Sequence, residues 1–271
     1  MPLIVEVHGG PAYHLSSAYD HFRQFLVNPG YGVLAVNFRG STGYGKAFQA
    51  MGSGAYGREM QTDLYGAAAW GVAHGYGDAQ APTIMGSSYG GYGAAMAATD
   101  PDSPFTVAIV KNAVLDVEHQ MRNNPAAWGL NTVYLERYFG RIDRSEEIED
   151  MRRFSPIARV RDQAVPILFL AGKRDGVVGF EQTETHLRDA RAADKLVEAL
   201  IFEDEGTASR AGKTTCAAPA RSRRFWPGIW TGAMAAGTRP NWLRICWTER
   251  GLPGKSVAFS CSPKPCMALA I

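Results

Sequence analysis

The most restrictive feature of this sequence is a serine held between glycines, Gly86-Ser87-Ser88-Tyr89-Gly90. An apolar run, Thr83-Ile84-Met85, precedes it, and a run of small residues, 94–98, follows it. This order predicts a strand, a sharp turn with Ser88 at its apex, and a helix, the arrangement called a nucleophile elbow. The two flanking glycines allow the strained turn to close, and Gly91 lets the helix pack close to the strand. The alternative is a glycine-rich turn with a surface serine, but the flanking strand and helix signals favour the elbow.

Strand and helix signals alternate through the first 206 residues. Short apolar runs rich in β-branched residues predict strands at 3–7, 32–37, 83–86, 106–110, 165–170 and 196–202. Helical spacing predicts helices at 19–27, 63–74 and 180–193, and a mostly helical insertion at 115–153. Repeated strand–helix units indicate a parallel sheet covered on both faces. The predicted fold is therefore an α/β-hydrolase fold, with a mostly parallel sheet, helices on both faces and an irregular C-terminal tail.

Two loops at predicted strand ends carry residues suited to acyl transfer. His8-Gly9-Gly10-Pro11 follows the first strand, where Gly9 offers a backbone N–H to a developing oxyanion; the alternative is a plain turn. Asp175 follows the strand 165–170, where the acid of a Ser…Asp…His triad belongs in chain order. A lone aspartate in such a loop is usually a turn residue, but the elbow upstream favours the catalytic interpretation.

Composition divides the chain near Gly206. Residues 1–206 carry 18 Lys+Arg and 25 Asp+Glu, whereas residues 207–271 carry 10 Lys+Arg and a single acid, Glu249. All four cysteines and four of the six tryptophans lie in the later segment, and all six histidines lie in the earlier one. We therefore predict a catalytic domain at 1–206 and a tail at 207–271 that is disordered or poorly packed.

Several other functions are disfavoured by the sequence. The glycine-rich loop 38–45 lacks the ending and glycine spacing of a phosphate-binding loop. The basic tail has no nucleic-acid-binding motif, and its cysteines lack zinc-ribbon pairing. No apolar run is long enough to span a membrane and no signal peptide is visible, so a cytoplasmic location is the default expectation. No metal or organic cofactor is implied, and the oligomeric state stays open.

These segments, taken together, resemble the catalytic domain of the prolyl oligopeptidase family of serine peptidases, in its dipeptidyl-peptidase and acylaminoacyl-peptidase branches. The matching pieces are His8-Gly9-Gly10-Pro11, Asn37-Phe38-Arg39-Gly40-Ser41, Gly43-Tyr44-Gly45, Gly86-Ser87-Ser88-Tyr89-Gly90-Gly91-Tyr92, Tyr134-Leu135-Glu136-Arg137-Tyr138, Ser155-Pro156 and Gly172-Lys173-Arg174-Asp175. The resemblance implies Ser88 as nucleophile, Asp175 as the acid that orients a histidine, and the Tyr89 N–H as an oxyanion donor. It places Tyr134 and Tyr138 around the substrate pocket, although their spacing alone favours core packing, and it implies short peptide substrates. The β-propeller that precedes this domain in the family has no counterpart in these 271 residues, so we expect a catalytic domain alone.

One departure from the family pattern concerns the general base. In the family, an acidic strand end runs into Gly-His-Gly, whereas here Phe202-Glu203-Asp204-Glu205-Gly206 is followed by Thr207. The last histidine is His186, inside a predicted helix, and it is a poor candidate for the missing base. Without an imidazole to accept its proton, a serine hydroxyl is a poor nucleophile at neutral pH. The chain as written is therefore expected to be nearly or wholly inactive.

A reading-frame change explains both the missing histidine and the unusual tail. With GC-rich codons and one cytosine restored after the Gly206 codon, the shifted frame can read Gly-His-Gly-Phe-Pro-Arg-Arg-Glu-Asn-His-Leu. The segment 221–227 can then become Val-Glu-Ala-Phe-Leu-Ala, a plausible final helix. We therefore hypothesise that residues 207–271 are translated out of frame. Three functions follow: a peptidase active only in its corrected form, an esterase-like hydrolase, or a non-catalytic relic or binding module.

Overall fold

The computed structural model describes residues 1–125 and 132–206 and the backbone of 269–270. A parallel sheet forms its centre, and each strand lies within two residues of its predicted position. The strands are β1 (Leu3–Val7), β2 (Gly32–Val36), β3 (Pro82–Ser87), β4 (Val107–Lys111), β5 (Ile167–Gly172) and β6 (Val197–Phe202). All neighbouring pairs among them are parallel, which confirms the predicted sheet.

Helices follow most of the strands. They are α1 (His21–Val27), α2 (Lys46–Ala50), α3 (Glu59–Ala73), α4 (Tyr89–Ala98), α5 (Val117–Arg122), α6 (Thr132–Phe139), α7 (Ser145–Arg153) and α8 (Phe180–Ala192), with a 3₁₀ helix at Pro156–Asp162. The first helix was predicted from residue 19 but begins at 21, because the Asp20 carboxylate caps it by accepting from the Phe22 and Arg23 amides. The predicted helical insertion contains α5, α6 and α7, and neither α2 nor the 3₁₀ helix was predicted.

The strand order places two loops at the centre of the sheet. The order is β6-β5-β4-β3-β1-β2, followed by a two-residue strand, β7 (Leu269–Ala270), paired with β2. From β1 the chain moves outward to β2 and then crosses to the other side of β1 to form β3. The carboxyl ends of β1 and β3 therefore flank a topological switch point, where open α/β sheets bind their ligands. The loop at 8–11 and the turn at Ser88 both begin there.

Two hydrophobic clusters hold the helices on opposite faces of this sheet. The larger cluster joins alternate strand residues such as Val5, Ile84 and Phe169 to side chains of α3, α4 and α8. The smaller cluster joins the intervening residues, such as Ile4 and Met85, to α1. Because both faces are covered, the expected two-sided α/β arrangement is confirmed.

The predicted tail at 207–271 lies, apart from β7, outside the described residues. Within the described part of the chain, no helix has the length and apolar character that a membrane crossing requires.

Candidate active site

Ser88 lies at the apex of the sharp turn between β3 and α4. Its backbone angles, φ 56° and ψ −116°, fall in a region that side-chain-bearing residues rarely adopt. A Cβ atom on Gly86 would lie 2.3 Å from the Gly90 carbonyl carbon, and one on Gly90 would lie 2.0 Å from the Val7 carbonyl oxygen. The expected requirement for glycine on both sides of the turn is therefore confirmed.

The start of α4 is held against the neighbouring strand. The Ser88 N–H donates to the Lys111 carbonyl at the end of β4 (3.0 Å), and a Cβ on Gly91 would lie 2.9 Å from that same oxygen. Gly91 thus allows the close approach of helix and strand that its position predicts. The Tyr89 N–H is the first in α4 and has no acceptor within the helix, so it is available to an oxygen placed beside Ser88.

The loop at 8–11, the glycine loop, lies directly against the serine. A Cβ on Gly9 would come within 3.3 Å of the Ser88 Cβ and 3.1 Å of the Ser87 carbonyl oxygen. The next residue, Gly10, has a φ of 127° and lines the cavity beside Ser88. The glycine loop and the elbow are therefore neighbours in space, although a long segment of chain separates them.

His8 fixes the conformation of the glycine loop. Its ring is buried, stacks on Phe38 at 4.4 Å, and lies 2.8 Å from both the Gly9 carbonyl oxygen and the Ser41 hydroxyl. Burial lowers the pKa of His8 to about 4, so the ring is neutral at pH 7. A carbonyl oxygen can only accept, so Nδ1 donates its proton to Gly9, while the Ser41 hydroxyl beside Nε2 donates to the Phe38 carbonyl oxygen (2.6 Å). The Gly9 peptide is thereby held in one orientation.

Asp175 lies in the loop after β5, at the same sheet edge as Ser88. Its Oδ1 accepts hydrogen bonds from the Val177 and Val178 amides, both at 2.9 Å, and its side chain is half-buried. Val178 lines the cavity beside Ser88. A Cβ on Gly206, after β6, would lie 3.9 Å from the Asp175 Cα. The structure therefore brings Ser88, Asp175 and the end of the predicted catalytic domain to one edge of the sheet.

Asn112, which the sequence interpretation missed, joins these loops. Its side-chain oxygen accepts from the Gly172 N–H (2.9 Å), and its amide nitrogen donates to the Gly206 carbonyl (3.2 Å). The residue is buried and has a φ of 40°, which asparagine tolerates better than most residues. An asparagine two residues after the predicted strand 106–110 was the available signal.

An apolar cavity, the serine cavity, opens beside Ser88 and encloses about 20 Å³. It is lined by Gly10, Ser88, Tyr89, Val114, Val117, Gln120, Met121, Leu135, Phe139 and Val178. A space of this size holds about one water-sized group. The cavity thus offers room for a small apolar group directly beside Ser88.

The two tyrosines assigned to the pocket use their hydroxyls elsewhere. The Tyr134 hydroxyl accepts from the Ala12 N–H (2.6 Å), which ties α6 to the end of the glycine loop. Tyr138 is fully buried and donates to the Gly40 carbonyl (3.0 Å). From the same helix, Leu135 and Phe139 line the serine cavity. The tyrosines therefore support the walls of the site, and neither lines the cavity itself.

The histidines of this chain all lie within the described residues, and their hydrogen bonds go to groups other than Ser88 and Asp175. His186 lies in α8, is fully buried, and packs on Phe169 at 5.2 Å with no hydrogen-bond partner for either ring nitrogen. Burial lowers its pKa to about 4. The other five are His8 and His14 in the first loop region, His21, His74 at the end of α3, and His119, which contacts Glu181.

A parallel sheet with helices on both faces and a strained serine elbow after its central strand define an α/β-hydrolase fold. The pattern of the prolyl oligopeptidase family matches residues 17–226, and the chain belongs to that family.

The relatives of the chain are peptidases of much greater length. It is 32% identical over 208 residues to dipeptidyl aminopeptidase BIII of Pseudoxanthomonas mexicana, covering 76% of this chain and 30% of that protein. It is 26% identical over 203 residues to the acylamino-acid-releasing enzyme of Rattus norvegicus, covering 74% of this chain and 28% of that enzyme. A puromycin-hydrolyzing peptidase of Mycobacterium tuberculosis superposes with a TM-score of 0.76 at 28% identity, covering 84% of this chain and 34% of that one. The chain thus spans about a third of the length of each.

Proposed function

We propose that residues 1–206 form the catalytic domain of a serine peptidase that acts on short peptides. The observation that supports this most directly is the shared sheet edge. Ser88, in its strained turn, and Val178, which helps to orient the Asp175 carboxylate, line one cavity. The relatives named dipeptidyl aminopeptidase and acylamino-acid-releasing enzyme supply the substrate class.

The proposed reaction is acyl transfer through Ser88. Its Oγ attacks the carbonyl carbon of the substrate, and the π electrons move to the carbonyl oxygen. The Tyr89 and Gly9 amides donate hydrogen bonds to that oxyanion. Collapse breaks the C–N bond, the leaving amine receives a proton, and water then hydrolyses the serine ester. Asp175 orients the imidazole that shuttles the proton between Oγ and the amine.

The chain as written lacks that imidazole, and we propose that it is nearly or wholly inactive. His186 is buried in α8 and therefore cannot serve as this base. His8 does not serve either, because its ring nitrogens contact Gly9 and Ser41. Removing one member of such a triad leaves only the roughly 10³–10⁴-fold catalysis supplied by the oxyanion site and by binding. The proximity of Gly206 to the Asp175 loop supports a base encoded just beyond residue 206 in the corrected frame.

The frame hypothesis is tested first on the gene. An unambiguous DNA read around codon 206 with no missing base would end it. Independently, the native chain is compared with a frame-restored chain that has one cytosine added after the Gly206 codon. We expect the restored chain to cleave dipeptidyl or acetyl-aminoacyl p-nitroanilides and the native chain to show little turnover.

Two variants of the restored chain then test the residue roles. Ser88→Ala is expected to abolish turnover, and Asp175→Asn to lower kcat by about 10⁴-fold. Cleavage of p-nitrophenyl esters but not of anilides would identify the esterase-like alternative. Binding without cleavage of either substrate would identify the relic. Equal, substantial peptidase activity in the native and restored chains would show that the base lies elsewhere.

A further inference from the structure

Two hollows share Phe139 as a lining residue. One is the serine cavity. The other, the outer cleft, has a volume of about 270 Å³ and is lined by Tyr56, Arg58, Glu136, Glu147 and Asp150, among others. Phe139 lines both, and it is the only residue in the described ranges 1–125 and 132–206 that does. The two spaces are therefore neighbours that share a single wall.

The Phe139 ring forms this wall. Its centroid lies 6.0 Å from that of Tyr89, which lines the serine cavity, and 5.1 Å from that of Tyr56, which lines the outer cleft. Phe139 is 7% exposed, so its ring is buried where it contacts both tyrosines. Aromatic rings at these separations are in direct packing contact. The ring is thus in contact with a wall residue of each space.

The two spaces differ in size and in polarity. The serine cavity encloses about 20 Å³ and its walls are largely apolar, which suits a methyl group. The outer cleft is more than ten times larger and carries charged groups, including the Arg58–Asp150 ion pair at 2.6 Å. A long side chain with a polar end would match the two spaces joined together, with its ring in the place of the Phe139 ring and its hydroxyl in the outer cleft.

We propose that Phe139 is the specificity-determining residue of this site. It restricts the serine cavity to small side chains such as that of alanine. Its removal joins the cavity to the outer cleft and admits a tyrosine side chain. This inference rests on the proposed function in one respect, that the serine cavity receives the substrate side chain beside Ser88.

The test measures binding, so that it does not depend on catalysis by the chain. Acetyl-alanine methylamide and acetyl-tyrosine methylamide are titrated by NMR into the full native chain and into Phe139→Ala. We expect the native chain to prefer the alanine ligand by about tenfold or more. We expect Phe139→Ala to reverse that preference by at least a similar factor, because the tyrosine ring then replaces the deleted phenylalanine ring.

Phe154→Ala is the matched control. Its ring also packs on Tyr56, at 5.9 Å, yet Phe154 lines neither space. This variant should keep the native preference. Phe139→Leu provides a second, milder variant in case the alanine variant does not fold, and it should shift the preference in the same direction.

Three outcomes would overturn the inference: equal binding of both ligands by the native chain, an unchanged preference in the folded Phe139 variants, or no binding of either ligand to any form. None of these would contradict the peptidase proposal, which is decided by turnover in the frame-restored chain. Conversely, a reversed preference in Phe139→Ala would stand even if that restored chain failed to cleave peptides.

Discussion

The side chain of Asn112 donates a hydrogen bond to the carbonyl oxygen of Gly206, 3.2 Å away and 94 positions later in the chain. The same side chain accepts from the Gly172 N–H. It therefore connects the ends of β4, β5 and β6 at the edge where Ser88 and Asp175 lie. This contact holds the last described residue before the tail against the loop of the proposed catalytic acid.

Replacing Asn112 by aspartate should destabilise the chain in a pH-dependent way. The carboxylate keeps an acceptor for Gly172 but places a second acceptor against the Gly206 carbonyl, so we expect a loss of about 1–3 kcal/mol near neutral pH. The loss should shrink as pH falls, because a protonated carboxyl can donate again. Urea unfolding at several pH values measures it. A pH-independent loss in Asn112→Asp would contradict this account.

Two glycine-to-alanine substitutions should have opposite effects. At Gly90 the new Cβ would lie 2.0 Å from the Val7 carbonyl oxygen, and we expect a loss of about 3 kcal/mol or more through overpacking. At Gly66, in the middle of α3, a Cβ meets no atom within 4 Å, and we expect a gain of about 0.5–1 kcal/mol. Thermal or urea unfolding of both variants checks the pair. Similar stabilities for the two would contradict the close approach of α4 to β1 at the Val7 carbonyl.

Ser88 should be replaceable by glycine with a gain in stability. Its φ of 56° and ψ of −116° strain any residue with a side chain, at a cost of about 1–3 kcal/mol. Ser88→Gly relieves that strain. Ser88→Ala removes the hydroxyl but keeps the backbone strain, because alanine still has a Cβ atom. We therefore expect the glycine variant to be the more stable of the two by about 1 kcal/mol in urea unfolding. Equal stability would show that the turn relaxes when the hydroxyl is absent.

His186 should make the chain sensitive to acid. Its pKa is about 4 in the folded state, below its ordinary value of 6.5, because burial disfavours the charged ring. The unfolded chain therefore binds the proton first, and stability falls as pH drops through 6.5 toward 4. The loss is up to about 3 kcal/mol for a shift of this size. His8 has a similarly lowered pKa and adds to the same trend.

His186→Phe isolates that contribution, because the ring packs on Phe169 without a hydrogen bond and a phenyl ring can fill its place. Between about pH 7.5 and pH 5, the variant should lose less stability than the native chain. His74→Gln, at the exposed end of α3, serves as the control. Its free energy of unfolding should change with pH as that of the native chain does. If the free energy of unfolding falls equally with pH in His186→Phe and in the native chain, the His186 ring does not cause the loss of stability in acid.

The periodicity of the sequence was sufficient to predict the strands and the elbow, because both depend on local patterns. Buried parallel strands appear as continuous β-branched runs, and the glycines around Ser88 serve a single turn. Contacts between distant segments were not predictable in this way. The bond from Asn112 to Gly206 depends on the order of β4, β5 and β6, and no local pattern encodes that order.

The pocket walls illustrate the same limit. Tyr134 and Tyr138 were assigned to the pocket through the family resemblance, and their spacing could not decide which faces of α6 turn toward the serine. In the structure, Leu135 and Phe139 line the cavity while the tyrosine hydroxyls bind Ala12 and Gly40. A rotation of the helix by one position changes which side chains face Ser88, and that rotation is set by packing against the sheet.

The close packing of Gly90 on the Val7 carbonyl has a consequence for biosynthesis. The turn that exposes the serine can be held only when β1 and β3 are already side by side, and β1 leaves the ribosome long before β3. A nascent or partly unfolded polypeptide consequently lacks the strained turn at this position. The geometry of Ser88 is a property of the assembled central sheet and appears only after β1 and β3 have paired.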